Sequence, residues 1–180
     1  MPRARVTVYC GSQFGTHPAY ATAADQLADA LCQADLGLVY GGSRIGLMGR
    51  LADRVLQLGG EVIGIMPTQL IERELQHPGL SRFEQVANMA ERKQRLLDLG
   101  DALVAMPGGL GTFEEWFEAW SWARIGLHTK PMGLLDTEGY YQPLWQMAAH
   151  SVAQGFTHES MLAGIKITAD PVELLQQLGI

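Results

Sequence analysis

Residues 102–120, ALVAMPGGLGTFEEWFEAW, pass from a short apolar run through a glycine-rich turn into a segment of helical period. Ala102 to Ala105 has the length and apolar character of a strand buried on both faces. Phe113, Trp116, Phe117 and Trp120 then recur at i, i+3, i+4 and i+7, the spacing of one helix face. A strand, a tight turn and a helix in that order form half of a β-α-β unit, the building block of a parallel sheet.

The same rhythm extends in both directions. Apolar runs at Val6 to Cys10, Leu36 to Tyr40, Val62 to Met66, Phe83 to Val86, Met132 to Leu135 and Ile165 to Ile167 predict further strands. Ala19 to Ala34 carries Ala23, Leu27, Ala30, Leu31 and Ala34 on one stripe, and Leu47 to Leu58 carries Leu47, Leu51, Val55 and Leu58. Each is predicted to be a helix buried on one face. The expected fold class is therefore α/β, with residues 1–180 forming one domain. Thr68 to Leu80 breaks the rhythm with Glu72, Arg73, Glu74, Gln76, His77, Pro78 and Gly79, and reads as a surface excursion placed to cover a site.

Composition narrows the function classes. The chain has 180 residues, 47% of them apolar and 18% charged, and a net charge of −6 from 13 Lys+Arg against 19 Asp+Glu. That excludes a disordered tail, a disulfide scaffold and a basic nucleic-acid binder. A pI near 5.3 likewise argues against a polyanion partner. Cys10 and Cys32 lie in apolar surroundings without CxxC pairing, which suits a reduced, cytoplasmic protein. The uncharged runs Val6 to Ala24 and Gly139 to His158 contain too many polar residues and prolines to sit in hydrocarbon, so no membrane span is expected. Met1 to Arg5 is basic, but too few apolar residues follow it for a signal peptide. His17, His77, His128, His150 and His158 are scattered without ligand spacing, and no metal is expected; His128 reads as a surface residue near a turn.

Ligands of parallel sheets gather where turns leave the carboxyl ends of strands. The first such turn, Cys10-Gly11-Ser12-Gln13-Phe14-Gly15, either offers backbone N–H groups and a hydroxyl to an anion or uses its glycines for tight-turn geometry alone. The second, Gly41-Gly42-Ser43-Arg44-Ile45-Gly46-Leu47-Met48-Gly49, fits neither the G-x-G-x-x-G dinucleotide spacing nor a Walker turn. In the third, Gly108, Gly109 and Gly111 let the backbone approach a ligand closely, and Thr112 as N-cap leaves the positive helix end facing it, a position suited to phosphate. Thr112-x-x-Glu115 is also a capping-box pattern, so Glu115 is read either as a capping residue or as a functional carboxylate. The aromatic face beyond it suits core on one side and a partner subunit on the other. Upstream, Met89, Arg92 and Lys93 open the helix that precedes Ala102, at the same edge of the sheet as the glycine turns.

Taken together these elements resemble the LONELY GUY family, the cytokinin riboside 5′-monophosphate phosphoribohydrolases, long labelled putative lysine decarboxylases. The resemblance rests on Pro107-Gly108-Gly109-Leu110-Gly111-Thr112-Phe113-Glu114-Glu115, which matches P-G-G-x-G-T-x-x-E, and on Cys10-Gly11-Ser12, Gly41-Gly42, Gly46-Leu47-Met48-Gly49, Met89-x-x-Arg92-Lys93 and Lys130-Pro131. It implies a Rossmann-like, doubly wound parallel sheet flanked by helices and a homodimer with sites near the subunit interface. It also implies hydrolysis of the N-glycosidic bond of AMP or N6-prenylated adenosine 5′-monophosphates, with no cofactor. By the same resemblance Arg92 and Glu115 are the catalytic pair, while Gly11, Ser12, Gly42, Met89, Lys93, Gly108, Gly109, Gly111, Thr112 and Ser121 bind the small-molecule nucleotide. Ser121 stands where the family often offers a hydroxyl from the neighbouring subunit.

Chemistry agrees with the implied roles. Breaking a ribosyl–base bond passes through an oxocarbenium-like state, which a carboxylate such as Glu115 stabilises while orienting water. Arg92 either neutralises the departing base or anchors Glu115 and the ribose hydroxyls. Ser43, where the family usually has a third glycine, and Arg124, where it often has Gln, depart from the pattern. The rival reading from another class is a non-catalytic nucleotide or molybdenum cofactor carrier on the same scaffold, against which the presence of both Arg92 and Glu115 argues. A pyridoxal-dependent decarboxylase needs a far larger fold than 180 residues supply.

Overall fold

The computed structural model describes residues 2–74 and 76–180. Its elements, in chain order, are β1 (Ala4–Tyr9), α1 (Ala19–Gln33), β2 (Leu36–Tyr40), α2 (Gly46–Gln57), β3 (Val62–Pro67), α3 (Thr68–Glu74), β4 (Arg82–Val86), α4 (Met89–Leu99), β5 (Ala102–Ala105), α5 (Leu110–Arg124), β6 (Met132–Leu135), a 3-10 turn (Thr137–Gly139), α6 (Gln142–Ala153), α7 (Ser160–Ala163), β7 (Ile165–Thr168) and α8 (Pro171–Leu178). The strands form one sheet in the order β4-β3-β2-β1-β5-β6-β7, every neighbouring pair parallel. This is the α/β arrangement that the strand-turn-helix rhythm predicts, doubly wound as the resemblance implies.

Alternation along the central strands divides the core in two. Val6, Val8, Leu38, Tyr40 and Val104 face α1, α2 and α8, whose Leu27, Leu31, Leu51, Val55 and Leu174 are buried there. Tyr9, Val39, Leu103 and Ala105 face the opposite layer, where α4 and α5 contribute Leu96, Leu97, Trp116 and Trp120. Two-sided burial explains why β2, β3 and β5 read as unbroken apolar runs, whereas the edge strand β4 alternates with Arg82 and Glu84. No helix among the described residues is long and apolar enough to cross a membrane.

Two expectations change. The segment from Thr68 to Leu80 is not simply a surface excursion. After α3, His77 is buried, its N–H donates to Gly42 O at 3.0 Å, and its Nε2 meets Asp53 Oδ1 at 3.0 Å. The excursion is thereby pinned to the second glycine turn; Leu75 lies outside the described residues. The aromatic face of α5 is also not uniform: Trp116 and Trp120 are buried, Phe113 is half-buried against Tyr140, and Phe117 is 46% exposed.

Lys130 explains how α4 ends. Its ammonium donates to Leu97 O, to Gly100 O at 2.5 Å and to Asp98 O at 3.2 Å, satisfying carbonyls that the helix end leaves without partners. Burial depresses its pKa, against the raising fields of Asp101 and Asp98. Lys130→Met keeps the apolar stem and removes the donors. It is expected to cost about 2 kcal/mol and to lower Tm by roughly 4–8 °C in a thermal melt, with nucleotide binding unchanged.

Candidate active site

β1 and β5 lie side by side in mid-sheet, and the chain winds away from them in opposite directions. Their carboxyl ends form the switch point at which open α/β sheets gather ligands. The turns leaving them are joined directly: Gly11 N–H donates to Pro107 O at 3.1 Å, and Met48 N–H to Gly11 O at 3.2 Å. Between these turns lies a pocket of about 190 Å³ lined by Gly11, Ser12, Tyr20, Gly108, Gly109 and Tyr140, among others. A Cβ at Gly108 would stand 2.1 Å from Thr112 Oγ1 and 2.9 Å from Gly11 N, so nothing larger fits where the turns meet.

The start of α5 differs from the sequence reading. Its N-cap is Gly109, in extended conformation and without a side-chain cap, so Thr112 is the third helical residue and not the cap. A capping box joins the N-cap to the third helical residue, and Glu115 lies three residues beyond that, so the capping reading of Glu115 falls. The physical consequence matters more: Gly109 has no side chain to cap the first N–H groups of α5, which stand at the positive end of the helix and beside the pocket. Side-chain capping occurs instead at α4, where Asn88 Oδ1 accepts from Glu91 N–H at 2.9 Å and Glu91 Oε2 accepts from Ala87 N–H at 2.7 Å.

That cap sets the first turn of α4, which carries Arg92 into the interior. Arg92 is 5% exposed; its Nε donates to Ile65 O at 3.1 Å and its Nη2 to Gly41 O at 3.2 Å. Its Nη1 lies 3.7 Å from Glu115 Oε1 and 3.9 Å from Met89 Sδ. A Cβ on Gly41 would come within 2.1 Å of Nη2, so the second glycine turn is shaped around the guanidinium. Two helices, α4 and α5, thus bring Arg92, Met89 and Glu115 together beside the second glycine turn. At 3.7 Å the charged pair attracts without a direct hydrogen bond.

The negative field of Glu115 reaches the end of β1. Burial pushes the Tyr9 phenol and the Cys10 thiol far up, and Glu115 raises both further. Cys10 is therefore no thiolate at neutral pH and no nucleophile. Lys93 does not line the pocket between the turns. Its ammonium is held by Glu114 Oε1 at 2.5 Å and Glu118 Oε2 at 2.8 Å, and although burial opposes its charge, these carboxylates raise its pKa. Ser121 and Arg124 line a different cleft of about 350 Å³ with Phe117 and Met147. Gly111 is exposed in the first turn of α5 and Thr112 is buried beneath it. Ser43 is buried, its carbonyl accepting from Tyr40 Oη at 3.1 Å. His128 is half-buried, with Nε2 2.8 Å from Ala119 O. Tyr20 and Tyr140 are not singled out by the sequence, because what they touch comes from other turns; Gly41 is read there as part of a glycine turn and not as a partner of Arg92.

A family model described as possible lysine decarboxylase matches residues 48–178. The chain belongs to this family. Relatives within the LONELY GUY group include a protein of Rhodococcoides fascians named cytokinin riboside 5′-monophosphate phosphoribohydrolase, 43% identical over 152 residues, covering 84% of this chain and 77% of that one. The Arabidopsis thaliana protein named cytokinin riboside 5′-monophosphate phosphoribohydrolase LOG7 is 38% identical over 174 residues, covering 97% and 80%. The fold is shared with the molybdenum cofactor binding protein of Rippkaea orientalis, at TM-score 0.72 and 20% identity over 100% of this chain and 99% of that one. At that identity the likeness is one of fold. LONELY GUY membership accords with the resemblance drawn from the glycine-turn motif.

Proposed function

We propose that this LONELY GUY family member is a hydrolase that cleaves the N-glycosidic bond of AMP or N6-prenylated adenosine 5′-monophosphates, giving the free base and ribose 5-phosphate. The observation that carries the reading is the placement of the buried Arg92 3.7 Å from the half-buried Glu115, which follows the N-terminus of α5 on the same helix. The 5′-phosphate is assigned to that N-terminus and to Gly11, Ser12, Gly108, Gly109, Gly111 and Thr112. The ribose then lies towards Glu115, whose carboxylate stabilises positive charge at C1′ as the bond to the base breaks and orients the attacking water. Water supplies hydroxide to C1′ and a proton to the departing base. Arg92, fixed by Ile65 O and Gly41 O, anchors Glu115. Gly42 shapes the turn beside it, and Met89 covers the guanidinium.

The names of the relatives support this chemistry, and so do the engaged lysines. Lys93 is held by α5 acids and Lys130 by α4 carbonyls, which leaves Lys166, on β7, far along the sheet order from the pocket. A decarboxylase with an aldimine lysine finds little support there. We assign a cytoplasmic homodimer with α5 at its interface. Phe117 and Met147 are exposed large apolar residues that line the cleft holding Ser121, and Ile125, Leu127 and Phe156, also exposed, follow α5 and α6 in the chain, a surface suited to a partner subunit. Light scattering at micromolar concentration is expected to give twice the chain mass of 19.7 kDa; the monomer mass would refute the dimer.

The deciding experiment follows release of base from AMP, isopentenyladenosine monophosphate, CMP and GMP side by side. Adenine or its prenylated form is expected from the first two. Zero turnover on all four would restore the carrier reading.

A further inference from the structure

Four consecutive carbonyls in the turn between β5 and α5 are each held by a donor of the protein. Tyr141 Oη donates to Met106 O at 2.6 Å, Gly11 N–H to Pro107 O at 3.1 Å, Tyr140 Oη to Gly108 O, and Phe113 N–H to Gly109 O at 3.1 Å. An anion site at this turn requires such control, because one carbonyl rotated into it presents lone pairs to negative charge. The weakest point is the peptide between Gly108 and Gly109. Neither flanking residue has a Cβ, so steric resistance to rotation of that plane is least there. Gly108 cannot be exchanged for a stiffer residue, since its Cβ would meet Thr112 Oγ1 and Gly11 N. The orientation has to be imposed from outside the turn.

Tyr140 is placed to impose it. Its ring stands edge-on to Tyr20 at 5.8 Å and stacks on Phe113 at 6.4 Å, which fixes where the hydroxyl points. Burial, and then Tyr20, raises the phenol's pKa, so the group remains a donor at neutral pH. A planar trans peptide with Gly108 O turned to Tyr140 aims Gly109 N–H the opposite way. Gly109 is the N-cap of α5 and lines the pocket.

We propose that Tyr140 is a positioning residue for the phosphate: by holding Gly108 O, its hydroxyl keeps the Gly108–Gly109 peptide turned so that the pocket meets an N–H and not a C=O. The inference rests on the phosphate assignment made above. Tyr141 supplies a contrast within the same turn. The peptide after Met106 leads into Pro107, which has no N–H, so the Tyr141 hydroxyl fixes the chain without orienting a donor.

The test compares wild type, Tyr140→Phe and Tyr141→Phe by calorimetric titration with ribose 5-phosphate and, separately, adenine, alongside Tm and AMP kinetics. Tyr140→Phe is expected to weaken ribose 5-phosphate binding about five- to tenfold, because a fraction of molecules carries the rotated peptide. KM for AMP rises by the same factor, with kcat and adenine binding within about twofold of wild type. Tyr141→Phe lowers Tm and leaves the ribose 5-phosphate Kd unchanged. Wild-type ribose 5-phosphate affinity in Tyr140→Phe overturns the inference and leaves the site reading intact. Equal weakening in both variants makes the effect one of general stability and also overturns it. No binding of ribose 5-phosphate by wild type removes the phosphate assignment itself, and this inference with it.

Discussion

Glu115→Gln is expected to lower kcat for AMP hydrolysis about a hundredfold to a thousandfold while shifting Tm by no more than roughly 3 °C. The rate loss, about 3–4 kcal/mol of transition-state stabilisation, follows from the charge alone, since Gln has the same shape and still presents an oxygen towards Arg92. An amide neither balances positive charge on the ribose nor takes up a proton from water. The small change in Tm has its own reason. Glu115 does not stand at the capping-box position, because α5 begins at Leu110 with Gly109 as its N-cap. Its charge also stands among other acids: Glu114, Glu115 and Glu118 all raise the buried Tyr9 phenol. Removing one of three like charges offsets much of what Arg92 loses, and Arg92 keeps its bonds to Ile65 O and Gly41 O. The two readouts separate the two readings of this residue. Full turnover with a fall in Tm would make Glu115 a structural residue after all and leave the hydrolase without its carboxylate.

The fold was legible because two-sided burial writes itself into sequence as continuous apolar runs, and β2 and β5 occupy the residues those runs predict. Their order in the sheet was not legible, since nothing in a run of Val and Leu says which neighbour it pairs. β1 begins at Ala4, two residues before the predicted Val6, because pairing of Ala4 with Leu36 extends the ladder past the last strongly apolar position. At the site, the residue types were readable and the reach of their side chains was not. Thr112 looked like an N-cap because a hydroxyl before a helical run usually is one. Gly109, which can adopt the N-cap conformation with no side chain in the way, starts α5 earlier. Lys93 follows Arg92 directly, but successive residues on a helix point about 100° apart, so one enters the core while the other lies across Glu114 and Glu118. Tyr140 and His77 act on carbonyl or amide groups of turns 32 and 35 positions away, and no local spacing encodes that.

Gly41→Ala is expected to remove the function of Arg92 without touching Arg92. The backbone accepts the change, as Gly41 is absent from the positive-φ residues. The new methyl carbon would stand 2.1 Å from Arg92 Nη2, with Met48 Sδ next at 3.2 Å, so the obstruction consists of flexible side-chain ends and no backbone. The guanidinium has to move off Gly41 O and, being planar, loses its alignment on Ile65 O as well. The cost to folding is about 2 kcal/mol, a fall in Tm of roughly 4–8 °C, while kcat/KM for AMP drops by about a hundredfold. Arg92→Lys, which keeps the charge but loses the planar fork, is expected to fall by a similar factor. The decisive measurement combines the two. If Gly41 matters only by leaving room for the guanidinium, Gly41→Ala placed on Arg92→Lys adds no more than about a threefold further loss, a large coupling for residues in contact. Additive losses would mean that Gly41 acts on the nucleotide directly and that the orientation of Arg92 is incidental. Wild-type turnover in Gly41→Ala would leave Arg92 a buried structural cation, with Glu115 held in place by other means.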